Sequence, residues 1–146
     1  MSPCPLLVLL LVPALVAAAC PPGETPVTSD THAIGCANLW LTVAADNVTL
    51  VIEGATGSIN VTSDAAGTTL RLLDSTVAGN VTLGGPHAFA DVRRSTVTGA
   101  DVVVLYGARN ATIAVADSTL TGAVVASVLS SAVGVSLTIS NSTLSA

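Results

Sequence analysis

The stretch Asp74–Gly79, which reads DSTVAG, decides the fold because the chain repeats it. The motif returns as RSTVTG at residues 94–99, as DSTLTG at 117–122 and as NSTLSA at 141–146, at intervals of 20, 23 and 24 residues. Repeats of this length are typical of a solenoid, in which each unit packs on its neighbours in the chain.

An alternating pair of aliphatic or small residues precedes every copy of the motif. These pairs are Leu70 and Leu72, Ala90 and Val92, Ile113 and Val115, and Leu137 and Ile139, with Leu50 and Ile52 before an earlier, weaker copy. Such alternation in short runs predicts strands, because successive side chains of a strand point to opposite faces. Residues 47–146 therefore hold four full units and the start of a fifth.

Short strands in a repeated unit predict an all-β fold, a parallel β-helix of about four to five coils. Stacked coils would align Val77, Val97, Leu120 and Leu144 as an inward aliphatic ladder. They would also align Ser75, Ser95, Ser118 and Ser142 as a hydroxyl ladder at a corner, where we expect exposed side chains. The alternative is an antiparallel β-sandwich, which has short strands but does not require one repeated motif.

The chain divides into three segments. Residues 1–19 are predicted to be a signal peptide, because the apolar run Leu6–Ala19 is too short to span a bilayer and ends in small residues. Residues 20–46 lack the repeat and are predicted to form an N-terminal cap over the first coil. Residues 47–146 are the β-helix repeats, and they stop inside a unit. We therefore expect either the N-terminal part of a longer protein or a truncated gene copy.

Two cysteines remain after removal of a signal peptide, Cys20 and Cys36. An even pair in an exported chain predicts a disulfide. The alternative is a bacterial lipoprotein site, since Cys20 follows three alanines and would then be acylated.

Five of the six asparagines lie in Asn-x-Thr, which is the acceptor sequence for N-glycosylation. These candidate sites are Asn47, Asn60, Asn80, Asn110 and Asn141. Because 32 residues are Ser or Thr, chance would supply one or two such sequences, and Asn also favours turns. The excess favours a eukaryotic secretory protein that reaches the cell surface or the extracellular space.

The charge pattern argues against a nucleic-acid partner. The chain has no Lys, four Arg, nine acidic residues and a net charge of −5. Phosphate binding needs clustered Lys and Arg, whereas an acidic surface chiefly keeps a protein soluble.

Catalysis is not expected, although one row of polar residues is a candidate. The position before each Ser-Thr is Asp74, Arg94, Asp117 or Asn141, so a β-helix would align an acid–base–acid row along one groove. Such residues also satisfy turn backbone groups, which is the more ordinary role. The contexts of His32 and His87 offer no metal-ligand spacing, so neither a metal nor a cofactor is expected.

The stretch Cys20–Val43, CPPGETPVTSDTHAIGCANLWLTV, together with the preceding apolar segment and the repeated DST[VL]xG motif, resembles the dispersed gene family surface proteins of trypanosomes. The resemblance implies a very large β-helical surface protein with membrane-spanning segments near a distant C-terminus. It also implies a role in adhesion to host cells or matrix, with proteins or glycans as partners, and offers no catalytic residues. A carbohydrate-active β-helix, such as a polysaccharide lyase or hydrolase, is the alternative function.

Overall fold

The computed structural model describes residues 17–18, 20–105, 109–128 and 133–145. Every regular element among them is a β-strand. The strands are β1 (Ala17–Ala18), β2 (Glu24–Val27), β3 (Thr31–Ile34), β4 (Asn38–Val43), β5 (Thr49–Glu53), β6 (Thr56–Ser63), β7 (Thr69–Leu73), β8 (Thr76–Leu83), β9 (Phe89–Arg93), β10 (Thr96–Leu105), β11 (Thr112–Ala116), β12 (Thr119–Val128), β13 (Ser136–Ser140) and β14 (Thr143–Ser145). The predicted signal peptide lies outside the described residues, except for the two residues of β1.

The strands form two parallel sheets that the chain visits in alternation. Sheet A contains the seven odd-numbered strands in the order of the chain, and sheet B contains the seven even-numbered strands. Every pairing between the described strands is parallel. The fold is therefore a parallel β-helix, as the repeat predicted, and the antiparallel β-sandwich is excluded.

The register of the sheets follows the sequence repeat. In sheet B, Val97 pairs with Val77 on one side and with Leu120 on the other, and Leu120 pairs with Leu144. Each step of this ladder equals the interval between two copies of the motif, so the predicted aliphatic ladder is confirmed. The alternating pairs align in sheet A in the same way, from Leu50 and Ile52 through to Leu137 and Ile139.

Small and aliphatic side chains fill the space between the two sheets. Leu50, Ile52, Val61, Leu83 and Leu120 are fully enclosed. Ladder residues of β13 and β14 are the exception, because no further described strand covers them. The exposed fractions are 48% for Leu137, 42% for Ile139 and 37% for Leu144.

The segment predicted to cap the first coil also takes part in both sheets. Within residues 20–46, β2 pairs with β4 and β4 pairs with β6 in sheet B, while β3 pairs with β5 in sheet A. The repeat region supplies five strand pairs, β5 to β14, and the preceding residues supply the other strands. The Cys-containing segment is therefore built into the solenoid.

No helix long and apolar enough to cross a membrane occurs among the described residues.

Candidate functional site

Each coil turns at two corners, and both corners use a left-handed backbone. At the corner from sheet A to sheet B, the residues with positive φ are Gly35, Gly54, Asp74, Arg94, Asp117 and Asn141. At the corner from sheet B to sheet A, they are Asn47, Gly67, His87, Asn110 and Gly134. Glycine tolerates this conformation best, and Asn and Asp adopt it more readily than other residues. The corners therefore explain much of the Gly, Asn and Asp spacing in the sequence.

The serines of the motif form a continuous hydrogen-bonded ladder beside the first corner. The Oγ of Ser75 accepts from Ala55 N, that of Ser95 from Ser75 N, that of Ser118 from Ser95 N and that of Ser142 from Ser118 N, at 3.0 to 3.1 Å. Each hydroxyl also donates within its own coil, as Ser95 does to Arg93 O at 2.8 Å. The hydroxyl ladder is confirmed.

The prediction that the serine side chains of this ladder are exposed is wrong. Ser75, Ser95 and Ser118 are buried, at 2%, 3% and 5% exposure. Their side chains turn toward the backbone amides of the neighbouring coil, because a buried amide without a partner is costly. Ser and Thr hydroxyls commonly satisfy backbone groups in this way, so the ladder is structural.

The predicted row of polar residues exists, and its members are paired with one another. Arg94 donates to both carboxylate oxygens of Asp74, from Nε at 2.7 Å and from an Nη at 2.8 Å. Asn141 donates its amide to Asp117 Oδ1 at 3.0 Å. Bidentate pairing occupies Asp74 on both oxygens and orders the corner surface.

The ion pair sets the direction of both pKa shifts. The hydrogen bonds from Arg94 lower the pKa of the Asp74 carboxyl more than desolvation raises it, and the charge of Arg94 lowers it a little further. The same bonds to Asp74 raise the pKa of Arg94. Both side chains are about half exposed, so solvent weakens the attraction and the pair contributes little to stability. Asp74 is held ionised, which suits a surface pair and does not suit a general acid.

The two histidines lie in different parts of the fold and have different hydrogen-bond partners. His87 occupies a corner position, with φ 58° and its backbone N–H bonded to Arg109 O at 2.7 Å. His32 lies in sheet A, where its Nε2 is 3.0 Å from Glu53 Oε2 in the next coil. No cluster of three or more His, Cys, Asp or Glu side chains suited to a metal occurs in the described part of the chain.

Cys20 and Cys36 are joined by a disulfide, with their Cα atoms 5.4 Å apart. The Cys36 side chain is fully buried and lies in the core at the first corner. The bridge links Cys20, in the segment before β2, to Cys36, two residues before β4 begins. It therefore stabilises the N-terminal coils among the described strands. Acylation of Cys20 and this bridge are mutually exclusive, because both use the same sulfur.

Loss of the bridge should destabilise this end of the solenoid. We expect Cys20→Ser with Cys36→Ala to lower the free energy of unfolding by about 3 kcal/mol, the loop-closure value for a loop of this size. Chemical denaturation followed by far-ultraviolet circular dichroism measures the change, and the wild type under reducing conditions should show the same loss. Equal unfolding midpoints with and without reductant would contradict the prediction.

Three of the five candidate glycosylation sites occupy corners. Asn47 and Asn110 are exposed and have φ of 57° and 51° at one corner, while Asn141 is exposed and has φ of 53° at the other. At these positions the backbone alone accounts for asparagine. Their Asn-x-Thr sequences therefore say little by themselves about glycosylation.

Asn60 and Asn80 differ, because they lie in the middle of strands. They are register partners in β6 and β8, on the outward face of sheet B, and both are partly exposed. Asparagine is depleted in strands, so no corner conformation explains these two. In the described part of the chain the Asn60 side chain makes no hydrogen bond, whereas Asn80 has an interaction of its own.

Trp40 lies beside Asn60 on the same outward face, which sequence reasoning did not identify. The two residues are register partners in β4 and β6, and the indole is 49% exposed. Together with Gly23, Asn38, Leu39 and Ser58 they line a surface depression of about 320 Å³. The available signal was the alternation in Asn38–Val43, which places Trp40 on the face opposite Leu39 and Leu41.

A buried carboxylate also escaped sequence reasoning. Asp91 is only 4% exposed, although the alternation in β9 places it on the face opposite the core residues Ala90 and Val92. Arg93 Nε donates to Asp91 Oδ1 at 2.8 Å, and this hydrogen bond raises the pKa of Arg93. The pair lies along one strand and satisfies the carboxylate, so it is a structural feature of sheet A.

No family model matches this chain, and no curated protein or solved structure is significantly similar to it.

Proposed function

We propose that this chain is a segment of a secreted or cell-surface glycoprotein, in which a rigid β-helix displays sugar-bearing faces for adhesion. Its partners are host-cell or matrix proteins or glycans, in keeping with its resemblance to the dispersed gene family surface proteins of trypanosomes. The observation that carries the proposal is the position of Asn60 and Asn80. Both acceptor sequences lie on the open face of sheet B, where strand geometry disfavours asparagine.

The disulfide supports the same compartment. Disulfides persist in oxidising surroundings and are rare in the cytosol. The Cys20–Cys36 bridge links Cys20, before β2, to Cys36, before β4, so an oxidising environment adds to the stability of this part of the fold.

The described polar groups favour display over catalysis. Asp74 is paired on both oxygens with Arg94, and Asp117 accepts from Asn141. A general acid–base pair needs carboxyl groups whose protonation states differ, as in glycoside hydrolysis. We accordingly assign these corner residues to the ordering of the surface.

Expression of the chain with its own N-terminal segment in a eukaryotic secretory host tests the proposal. We expect the protein in the medium, a mobility shift after endoglycosidase treatment, and sugar on the peptides that contain Asn60 and Asn80 by mass spectrometry. Retention of an unglycosylated chain inside the cell would contradict the secretory assignment.

Adhesion is tested with the same secreted protein. We expect saturable binding to cultured cells or to matrix-coated surfaces, and no release of products from polyuronides or other glycans. A matched variant, Asp74→Gly with Asp117→Gly, removes both carboxylates, keeps the left-handed corner that Gly54 also adopts, and should bind like the wild type. Cleavage of a glycan that this double variant abolishes would instead establish a carbohydrate-active β-helix.

A further inference from the structure

Trp40 is the one tryptophan of the chain, and it stands half exposed on the face of sheet B. Its indole presents a large apolar ring face on which the apolar face of another group can pack. The surrounding depression has a volume of about 320 Å³, at the small end of the range of about 300–1,000 Å³ that ligand sites occupy. An occupant of the size of one sugar ring would therefore suit it.

Asn60 supplies the point of attachment for such an occupant. It is the register neighbour of Trp40 in the adjacent strand, and both line the depression. Neighbouring strands lie about 4.8 Å apart, so a group attached to the Asn60 amide starts within reach of the indole. The other four acceptor asparagines lie elsewhere, three at corners and Asn80 one coil further along sheet B.

We propose that an N-linked glycan on Asn60 lays its first N-acetylglucosamine ring over the indole of Trp40. This inference depends on the proposed secretory route, where a lipid-pyrophosphate-linked oligosaccharide is the donor. The Asn60 amide nitrogen forms a bond to C1 of the sugar as the bond from C1 to the pyrophosphate breaks. The released lipid pyrophosphate takes the proton that leaves the amide.

The chemistry of the depression suits this sugar. The C–H face of a pyranose ring is apolar and packs on an indole, which has a large apolar face. Asn38 uses its carbonyl oxygen to accept from Ser58 N at 3.1 Å, so its amide NH2 is the group that can donate to the N-acetyl carbonyl. Attachment to Asn60 also gives the sugar a high effective concentration at the depression, which a free glycan lacks.

The fluorescence of the only tryptophan reports directly on the proposed contact. In the secreted full chain, Thr62→Ala removes the Asn60 acceptor sequence, and Thr82→Ala removes that of Asn80. Thr62 and Thr82 are register partners with similar exposure, so the two variants are matched. We expect acrylamide quenching of Trp40 to increase about twofold in Thr62→Ala, since loss of the sugar bares one face of the ring, and to stay unchanged in Thr82→Ala.

Enzymatic trimming of the folded wild type provides a second readout that does not depend on a variant. Shielding should persist when an endoglycosidase leaves the first N-acetylglucosamine on Asn60. It should disappear when an amidase removes that sugar as well.

Glycopeptide mass spectrometry of the same samples distinguishes a failure of the proposed contact from a failure of the proposed glycoprotein function. An occupied Asn60 with equal quenching in the wild type and Thr62→Ala would overturn the contact and leave the proposed glycoprotein intact. An Asn60 without sugar in a chain whose other sites are glycosylated would also overturn the contact and leave the proposed glycoprotein intact. A chain without sugar at all five sites would overturn both proposals.

Discussion

Val97→Asp should abolish the native fold, or lower the free energy of unfolding by about 3–5 kcal/mol, the cost of an uncompensated buried charge. Val97 is 2% exposed, and its register partners Val77 and Leu120 are 3% and 0% exposed. An aspartate in this column has aliphatic partners above and below, so it must either remain protonated or open the coil to water. Because each coil is stabilised by contacts with its neighbours, loss of packing at Val97 also destabilises the adjacent coils.

The matched control is Thr98→Asp, at the next position of the same strand. Thr98 points to the outward face, is exposed, and has Ala78 and Thr121 as register partners. No like charge lies directly opposite, so we expect a loss of only about 1 kcal/mol, because Asp is less favourable than Thr in a strand. Chemical denaturation followed by circular dichroism compares the two variants. Equal unfolding midpoints would show that Val97 does not face the core.

Ser95→Asp cannot serve as a control for a surface substitution, although Ser95 lies beside a corner. Ser95 is buried, accepts from Ser75 N at 3.1 Å and donates to Arg93 O at 2.8 Å. An ionised aspartate can accept from the amide but cannot donate to the carbonyl, and it places a charge among buried groups. We expect Ser95→Asp to lower stability nearly as much as Val97→Asp.

The repeat made the fold and its register predictable, because stacking of identical units leaves one alignment. The intervals between copies of the motif equal the offsets between paired strands, so Val77, Val97 and Leu120 could be aligned from the sequence alone. The burial of the serine ladder could not be predicted, since Ser is found on both the buried and the exposed side of a corner. Only the direction of each hydroxyl, toward the amide of the adjacent coil, decides its burial.

The site was predicted in part for similar reasons. The corner row Asp74, Arg94 and Asp117 follows from the repeat, but the bidentate pairing that occupies Asp74 depends on side-chain geometry. The pairing of Trp40 with Asn60 could not be derived, because Trp40 lies before the region where the repeat is recognisable and its register was therefore unknown. Trp40 and Asn60 are 20 residues apart, as Asn60 and Asn80 are, but no copy of the motif marks the earlier coil.

Gly79→Ala should be the other severely destabilising change, although it adds only a methyl group. Gly79 has φ 151°, and a Cβ there would overlap the backbone carbonyl of Ile59 in the preceding coil. A backbone carbonyl held in a sheet cannot move aside as a flexible side chain can. Overpacking of this kind costs about 1–3 kcal/mol, and the unfavourable φ adds about 1–2 kcal/mol for a residue with a Cβ. We expect a combined loss of roughly 2–5 kcal/mol in the free energy of unfolding.

The motif repeats this glycine for the same steric reason. A Cβ on Gly99 would come within 2.5 Å of Gly79 O, and Gly99 in turn pairs with Gly122. The sixth position of the motif thus lets the coils of sheet B approach closely. Soluble yield in the secretory host and the unfolding midpoint both measure the loss.

Gly54→Asp is the control that separates steric overlap from backbone conformation, and it creates no Asn-x-Thr sequence. Gly54 also has a positive φ, of 63°, but the nearest atom to an added Cβ is Gly35 N at 3.9 Å, an ordinary contact. The same corner position holds Asp74 and Asp117 in later coils, at φ of 48° and 51°. The structure therefore accepts a polar side chain there, and we expect a change within about 1 kcal/mol. If Gly79→Ala unfolds at the same denaturant concentration as Gly54→Asp, then Ile59 does not lie against Gly79, and the alignment of β6 with β8 must shift.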